Sequence, residues 1–112
     1  MSGAPFSVSI DESGPVVVLR LGGDVDRNAQ EAMGAAYSNS GAGSVVLDFT
    51  KVDYINSTGI AVIVGILARG RAEGRSVRAC GLTDHYRQIF EITRIADFMA
   101  IFDDESSAVA IG

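Results

Sequence analysis

Val45-Val-Leu-Asp-Phe-Thr-Lys-Val-Asp-Tyr-Ile-Asn-Ser-Thr-Gly-Ile60 is the stretch that decides the fold. It opens with an apolar strand over Ser44–Phe49, a pattern typical of a strand buried on both faces of a parallel sheet. A polar loop follows, and a Ser-Thr-Gly step then begins a helix over about Thr58–Glu73. Ser57 and Thr58 therefore lie at a helix N-terminus, where unpaired N–H groups and the helix dipole favour negative charge. Ser57 either caps this helix or accepts a phosphate there.

The segments on either side alternate between strands and helices. Two strands, Phe6–Ile10 and Val16–Leu21, are expected to form an antiparallel hairpin that ends at Gly22-Gly23. The other predicted elements are a helix over Ala29–Tyr37, a strand over Ser76–Cys80, a helix over His85–Ile92, a strand over Phe98–Phe102 and a helix over Asp104–Ala110. The order β-β-α-β-α-β-α-β-α predicts an α/β fold with a mixed, mostly parallel sheet of about five strands and about four helices packed on it.

Helix ends and burial follow from the same patterns. We expect Asp26 or Asn28 to cap the first helix and Asp84 to cap the third. Gly74 is expected to end the central helix. The first half of that helix is apolar all round, which predicts deep burial.

Size and composition predict one domain over residues 1–112, soluble and not disordered, since 47% of the residues are hydrophobic and 21% charged. The single cysteine, Cys80, excludes an internal disulfide and fits a reducing compartment. No signal peptide is recognised at the N-terminus, and the apolar run Ile60–Ala68 is about half of the ~20 residues that cross a bilayer. We expect a cytoplasmic protein without a membrane span.

The charge pattern argues against nucleic acid as a partner. The formal net charge is −5, whereas a nucleic-acid footprint needs Lys and Arg gathered on one face. The nearest approach to a basic patch is Arg69, Arg71, Arg75 and Arg78. Two of these straddle a predicted helix end, where the dipole favours cations.

Catalytic and metal-binding sets are mostly absent from the sequence. His85, expected on an exposed first helical turn, and Cys80 do not match a metal-ligand spacing. Ser57 has no evident general base, which a nucleophilic serine needs, and no phosphate-binding P-loop is present. The sequence therefore predicts a protein that is not an enzyme and needs no cofactor or metal.

Three acidic residues are candidates for a role beside Ser57. Asp24 and Asp26 follow a strand, so they either form a turn and helix cap or lie near Ser57 and orient a phosphate donor or a partner's basic group. Asp48 lies within an apolar strand and is expected to hydrogen-bond backbone near the Ser57 loop. A receiver-like metal pocket made of all three carboxylates is a further hypothesis, disfavoured because the only lysine, Lys51, is not on a late strand.

The Ser-Thr-Gly step is compatible with modification of Ser57. Gly59 allows a tight helix start or a close backbone approach. A serine at the N-cap contributes ~1 kcal/mol, and phosphoserine adds a charge of about −1.5 to −2 that a helix N-terminus tolerates. A partner that docks with acidic or apolar groups would not tolerate that charge. Phosphorylation would then change binding without changing the fold.

The central motif, Asp48-Phe-Thr-Lys-Val-Asp-Tyr-Ile-Asn-Ser-Thr-Gly-Ile60, resembles the signature of STAS domains, specifically bacterial anti-sigma factor antagonists. Leu19-Arg-Leu-Gly-Gly-Asp-Val-Asp26 is similar to the family's Gly-Glu-Leu-Asp step after the second strand. Arg78-Ala-Cys-Gly-Leu82 and Phe90-Glu-Ile-Thr-Arg-Ile95 fall where the family has its fourth strand and the following helix. The resemblance covers nearly the whole chain.

The resemblance implies a mixed sheet with helices mostly on one side and a function in partner switching. Ser57 would match the serine that the anti-sigma factor, itself a serine kinase, phosphorylates. The unmodified chain would bind that kinase and free the sigma factor, and a PP2C-type phosphatase would reverse the modification. The residues expected at the interface are Asp24, Asp26, Asn56, Ser57, Thr58 and Gly59. ATP would belong to the partner.

Three departures from the family pattern bear on the switch. Asn56 stands where the antagonists usually have Asp, and this lost charge could alter kinase recognition. Thr58 is a possible second phosphorylation site. Asp24 stands where the family has a glutamate, whose side chain is longer. An alternative within the family is a non-switching STAS scaffold, such as a stressosome-like component or an accessory subunit of a lipid-transport ABC system.

Overall fold

The β-branched segments pair into one five-stranded sheet in the computed structural model, which describes residues 4–41 and 43–110. The strands are β1 (Ser7–Asp11), β2 (Val17–Val25), β3 (Val45–Ile55), β4 (Val77–Cys80) and β5 (Ala100–Phe102), and they lie in that order across the sheet. β1 runs antiparallel to β2, and each later strand runs parallel to its neighbour. The mixed, mostly parallel sheet is confirmed.

Helices cover both faces of this sheet. They are α1 (Ala29–Asn39), α2 (Ser57–Glu73), α3 (Asp84–Ile92) and α4 (Glu105–Val109), with a 3-10 turn at Ile95–Asp97. Because side chains alternate along a strand, Leu19, Leu47 and Ala79 face the large core beneath α1, α2 and α3. Their neighbours Val18, Val46 and Cys80 face a smaller cluster closed by Ala108 of α4. The helices are therefore mostly on one side, as the resemblance implied.

β2 and β3 are both longer than the sequence predicted. β2 does not end at Gly22-Gly23, and β3 does not end at Phe49, because the polar segment after Phe49 pairs with residues 22–25 as a second half of the same ladder. Register shifts occur at Arg20/Gly22 and Gly23/Asp24. Gly23 has φ +73 and lies so close to the Pro5 carbonyl that a Cβ would overlap it. The two glycines thus bend the strand and do not terminate it.

The predicted strand Phe98–Phe102 is wrong in its first half. Arg94 adopts φ 67, residues Ile95–Asp97 form a 3-10 turn, and only Ala100–Phe102 pair with β4. Ile95 and Met99 are buried by this turn, whereas Phe98 remains 60% exposed. Packing of Ile95 and Met99 into the core therefore outweighs the strand pattern of this segment.

The helix caps differ in detail from the prediction. α3 is capped by Thr83, whose Oγ1 accepts from Tyr86 N at 3.3 Å, and Asp84 is its first residue. At the start of α1, Asp26 Oδ1 accepts from Asn28 N at 2.9 Å, and the Asn28 side chain makes no capping bond. Gly74 ends α2 in the left-handed conformation, as predicted.

The first half of α2 is not buried on all sides. Gly59, Ile63 and Ile66 face the core, whereas Ala61 and Val64 are exposed. The expectation of deep burial is wrong because the sheet covers only one side of the helix. Within the described ranges, no helix combines the length and apolarity that a membrane crossing requires.

The four arginines near α2 do not form a basic face. Arg75 is buried and donates to the carbonyls of Gly43 and Tyr37. Arg78 is buried on the other side of the sheet and donates to Ala108 O at 2.8 Å. These two side chains hold the backbone together and present no charge to a nucleic acid.

Candidate functional site

Asn56 caps α2, and Ser57 is the first residue of the helix. The Asn56 side chain accepts from Gly59 N at 2.8 Å, and its backbone carbonyl accepts from Ile60 N at 2.9 Å. The hypothesis that Ser57 supplies the cap is therefore wrong. An asparagine oxygen caps as well as an aspartate oxygen, so the change from the family's usual Asp leaves the helix start intact.

The Ser57 and Thr58 side chains are exposed at this helix N-terminus. Neither hydroxyl forms a hydrogen bond with residues 4–41 or 43–110, and the first turn of α2 contains no acidic residue. The positive end of the helix dipole is thus not neutralised from within the helix. A phosphate on Ser57 would occupy a position that favours negative charge.

The backbone on both sides of Ser57 is attached to the end of β2. Asn56 N donates to Val25 O at 3.2 Å. A Cβ on Gly59 would stand 1.9 Å from that same oxygen, so only glycine permits this approach. The position of Ser57 is therefore set by the backbone and does not depend on its own side chain.

Asp24 and Asp26 flank Val25 and so belong to the same end of the sheet as Ser57. Asp24 is 7% exposed, pairs in register with Tyr54 of β3, and its N–H donates to Ala4 O at 3.0 Å. Asp26 is half-buried and forms the turn that opens α1. The structure places the residue between them, Val25, in backbone contact with Asn56 and Gly59, and it gives Asp26 the turn-forming role.

Asp48 lies elsewhere. It pairs with Arg20 and Cys80 in the first half of β3, about 20 Å along the strand from Tyr54. Its Oδ1 accepts from Thr50 N at 2.8 Å and from Thr50 Oγ1 at 2.5 Å. The prediction of a bond to the Ser57 loop is therefore wrong, because β3 continues for five residues beyond Thr50 and ends only at Ile55, directly before Asn56.

The surroundings of Asp48 lower the pKa of its carboxyl group. Burial by itself would raise the pKa of Asp48, but hydrogen bonding with Glu105 and from Thr50 holds that pKa below its usual range. Glu105 in turn accepts from Arg20. Because Asp48 is far from Asp24 and Asp26, the three carboxylates do not form the receiver-like pocket, and no group of metal-binding side chains occurs in residues 4–41 and 43–110.

Tyr86 is a residue near the site that sequence reasoning missed. Its hydroxyl oxygen accepts from Ile55 N at 2.9 Å, which attaches α3 to the last residue of β3, two residues before Ser57. The neighbouring His85 is exposed on the first turn of α3, as predicted. The sequence did contain a signal for this contact, because Tyr86 falls on the apolar side of a predicted helix. A tyrosine packed there needs a polar partner for its hydroxyl.

Comparisons with known proteins agree with this arrangement. A family model described as Mlab, STAS domain matches residues 8–101. BtrV of Bordetella bronchiseptica, provisionally named an anti-sigma factor antagonist, is 29% identical over 108 residues, which cover 94% of this chain and 93% of BtrV. The anti-sigma-B factor antagonist of Listeria monocytogenes is 36% identical over 55 residues, which cover 49% of this chain and 48% of that protein.

A solved structure shares the fold. The anti-sigma factor antagonist SpoIIAA in its unphosphorylated form matches with a TM-score of 0.71 at 15% identity, over 93% of this chain and 94% of SpoIIAA. Since the family model covers most of the sequence, the chain belongs to the STAS-domain family. Its named relatives are anti-sigma factor antagonists, a class of regulatory proteins and not of enzymes.

Proposed function

We propose that this chain is an anti-sigma factor antagonist whose binding is switched by phosphorylation of Ser57. When Ser57 is unmodified, the chain binds an anti-sigma factor that is a serine kinase, and a sigma factor is released. When the kinase phosphorylates Ser57, the complex dissociates, and a PP2C-type phosphatase restores the unmodified form. ATP is bound by the kinase, and the protein acts in the cytoplasm.

The observation that carries this proposal is that the Ser57 hydroxyl is exposed and is not used by the fold. Asn56 supplies the cap through its bond to Gly59 N. A kinase can therefore transfer a phosphate to Ser57 without breaking a hydrogen bond that the helix needs. The helix dipole then stabilises the added charge of about −1.5 to −2, so the modified chain keeps its fold.

The same phosphate would act strongly on a bound partner. A group docked over the N-terminus of α2 would meet a doubly charged phosphate in place of a small hydroxyl, and like-charge or apolar contacts there cost several kcal/mol. The half-buried Asp26, which directly follows β2, would add to this repulsion. Phosphorylation would thus weaken the complex while leaving stability nearly unchanged.

The direct test combines mass spectrometry with binding measurements on variants. The chain is incubated with ATP and the anti-sigma kinases encoded by its host, and the modified residue is identified. Affinity is then measured for wild type, Ser57→Ala and Ser57→Asp. We expect phosphate on Ser57, retained binding by Ser57→Ala, and at least about tenfold weaker binding by Ser57→Asp.

Two controls make the result specific. Ser9→Asp adds the same charge at an exposed position on β1 and should not change affinity. Thr58→Ala tests the neighbouring hydroxyl and should still be phosphorylated. Equal binding by wild type and Ser57→Asp would contradict the switch. Phosphate found only on Thr58 would show that the phosphorylation site is Thr58 and not Ser57.

A non-switching STAS scaffold is the second candidate, favoured by the description of the matching family model as Mlab. In this case the chain would be a stressosome-like component or an accessory subunit of a lipid-transport ABC system. Co-purification of the intact chain with a permease, or its assembly into a large particle, together with unchanged binding by Ser57→Asp, would support the scaffold over the switch.

A further inference from the structure

The Asn56 side chain carries two different polar groups, and the helix uses only one of them. Its Oδ1 accepts from Gly59 N at 2.8 Å. Because a backbone N–H is a donor, the amide atom that faces it is the oxygen and not the nitrogen. The amide group is planar, so Nδ2 is turned away from Gly59 N. The cap therefore fixes the orientation of this side chain and leaves its NH₂ group for another acceptor.

The Asn56 NH₂ group is a free donor in the unmodified chain. It forms no hydrogen bond with residues 4–41 and 43–110. Within the same ranges, no buried side-chain nitrogen or oxygen lacks a partner. Nδ2 is therefore open to solvent, although Asn56 as a whole is half-buried. An acceptor that approaches the start of α2 from solvent can reach it.

Two backbone donors beside Asn56 are free as well. Asn56 N and Ile60 N are bonded to Val25 O and Asn56 O. By contrast, Ser57 N and Thr58 N have no acceptor within the part of the chain that the structure describes, as is usual for the first residues of a helix. Three donors on three consecutive residues thus remain unused around the Ser57 hydroxyl.

We infer that the Asn56 NH₂ group donates to the phosphate on Ser57 and so positions that phosphate over the start of α2. The two residues are consecutive, with Cα atoms about 3.8 Å apart, and a phosphate offers three strong acceptor oxygens. A hydrogen bond to an ionised acceptor is about twice as strong as a neutral one. The inference rests on the proposed function, because it concerns the same phosphate, and it makes Asn56 a positioning residue of the modified chain.

The neutral charge of Asn56 contributes to the same effect. Phosphoserine carries a charge of about −1.5 to −2, and a carboxylate at residue 56 would place a like charge directly beside it. Asn56→Asp is therefore an informative substitution. An aspartate oxygen caps Gly59 N equally well, but the variant loses the NH₂ donor and gains a negative charge. The substitution should leave the unmodified chain nearly unchanged and act on the phosphorylated chain.

The test uses the full chain with phosphoserine incorporated at position 57 during translation, so that no kinase is needed. Tm is measured with and without the phosphate for wild type and Asn56→Asp. We expect the phosphate to lower the Tm of Asn56→Asp by at least about 3 °C relative to its effect on wild type. This difference should decrease as salt rises.

Asn39→Asp is the matched control. It makes the same chemical change at an exposed position, the last residue of α1. The chain leaves that end of α1 to begin β3, whereas Ser57 follows the other end of β3. The phosphate should therefore change the Tm of Asn39→Asp as it changes that of wild type.

A second measurement reports the hydrogen bond itself. The Asn56 side-chain NH₂ signals in a ¹H–¹⁵N NMR spectrum are identified by their absence from the spectrum of Asn56→Asp. We expect phosphate on Ser57 to move these signals downfield, and to move them more than the corresponding signals of Asn28 and Asn39. A role of Asn56 in capping alone would not produce this change, since Oδ1 and not Nδ2 forms the cap.

The outcomes separate this inference from the proposed function. A larger loss of Tm in phosphorylated Asn56→Asp, together with displaced Asn56 signals in wild type, supports the inference. Equal effects of the phosphate on the two chains, or Asn56 signals that do not move, would overturn it. Failure of every host kinase to phosphorylate Ser57 would overturn the proposed function instead, because neither measurement uses a kinase.

Discussion

Gly59 at the start of α2 lies directly against the carbonyl of Val25 at the end of β2. A Cβ on Gly59 would stand 1.9 Å from Val25 O and 2.6 Å from Val25 C. Asn56 N donates to the same oxygen at 3.2 Å. One carbonyl of the sheet therefore positions the residues on both sides of Ser57.

Gly59→Ala is expected to lower the free energy of unfolding by at least about 2 kcal/mol, because a backbone carbonyl cannot move away from the new methyl group without distorting β2. Urea denaturation measures this change. Gly65→Ala is the control within the same helix, since nothing lies within 4 Å of its added Cβ. That variant should be more stable than wild type by about 0.5–1 kcal/mol. Equal effects of the two substitutions would contradict the close contact.

Asn56→Ala is expected to lower the free energy of unfolding by about 1 kcal/mol, because Gly59 N loses its acceptor. Asn56→Asp should change it little, since aspartate supplies the same oxygen. Ser57→Ala should remain within about 0.5 kcal/mol of wild type, since its hydroxyl forms no hydrogen bond with the part of the chain that the structure describes. Thermal unfolding of the three variants checks this order. A loss in Ser57→Ala as large as that in Asn56→Ala would return the capping role to Ser57.

Stability is expected to fall at acid pH partly through Asp11. Hydrogen bonds from the Ser13 hydroxyl and backbone, and then from Arg20, lower the pKa of Asp11 from 3.8 to about 2. A carboxyl whose pKa is lowered by folding stabilises the protein above its unfolded pKa, and this contribution disappears as pH falls through the folded pKa. The loss should therefore occur between about pH 4 and pH 2.

Asp11→Asn should remove this part of the acid dependence, as measured by urea denaturation across the same pH range. Glu12→Gln is the matched control, because Glu12 is the exposed neighbour and has no hydrogen-bond partner among the described residues. It should retain the wild-type profile. An Asp11→Asn profile that is also identical to wild type would exclude the contribution of Asp11.

Cys80 is expected to resist thiol reagents in the folded protein. The side chain is fully buried beneath α4, and burial, together with the nearby Asp48 carboxylate, raises the pKa of the thiol to about 12. Little thiolate, the reactive form, is present at mildly alkaline pH. Labelling with a thiol reagent should be slow in buffer and fast in denaturant. Rapid labelling of the native chain would show that α4 does not cover Cys80 stably.

Much of the fold was predictable because its signals are local. Strands such as Val16–Leu21 and helices such as α3 follow from residue periodicity and from turn residues, which act over a few neighbours. The second halves of β2 and β3 were not predictable in this way. Residues 50–54 are mostly polar, and they form a strand only because β2 continues beside them past Gly22 and Gly23.

The candidate site shows the same division. The position of Ser57 at a helix start was predicted from spacing and from the family resemblance, whereas a place beside Ser57 was only one of two alternatives for Asp24 and Asp26. The contact of Tyr86 with Ile55 N was not predicted, because these residues are 31 positions apart and lie on different elements. Asp48 was placed wrongly, because its distance from the loop depends on how far β3 extends.

The sequence by itself determined the order of the elements, the mostly parallel sheet, the family and the serine at the start of the central helix. These follow from apolar periodicity and from one continuous motif. Only the tertiary structure decided that Asn56 caps α2, that Gly59 lies against Val25, and that the outer face of α2 remains uncovered. The physical reason is that each of these depends on which backbone groups and side chains meet across the fold, and local composition does not specify that.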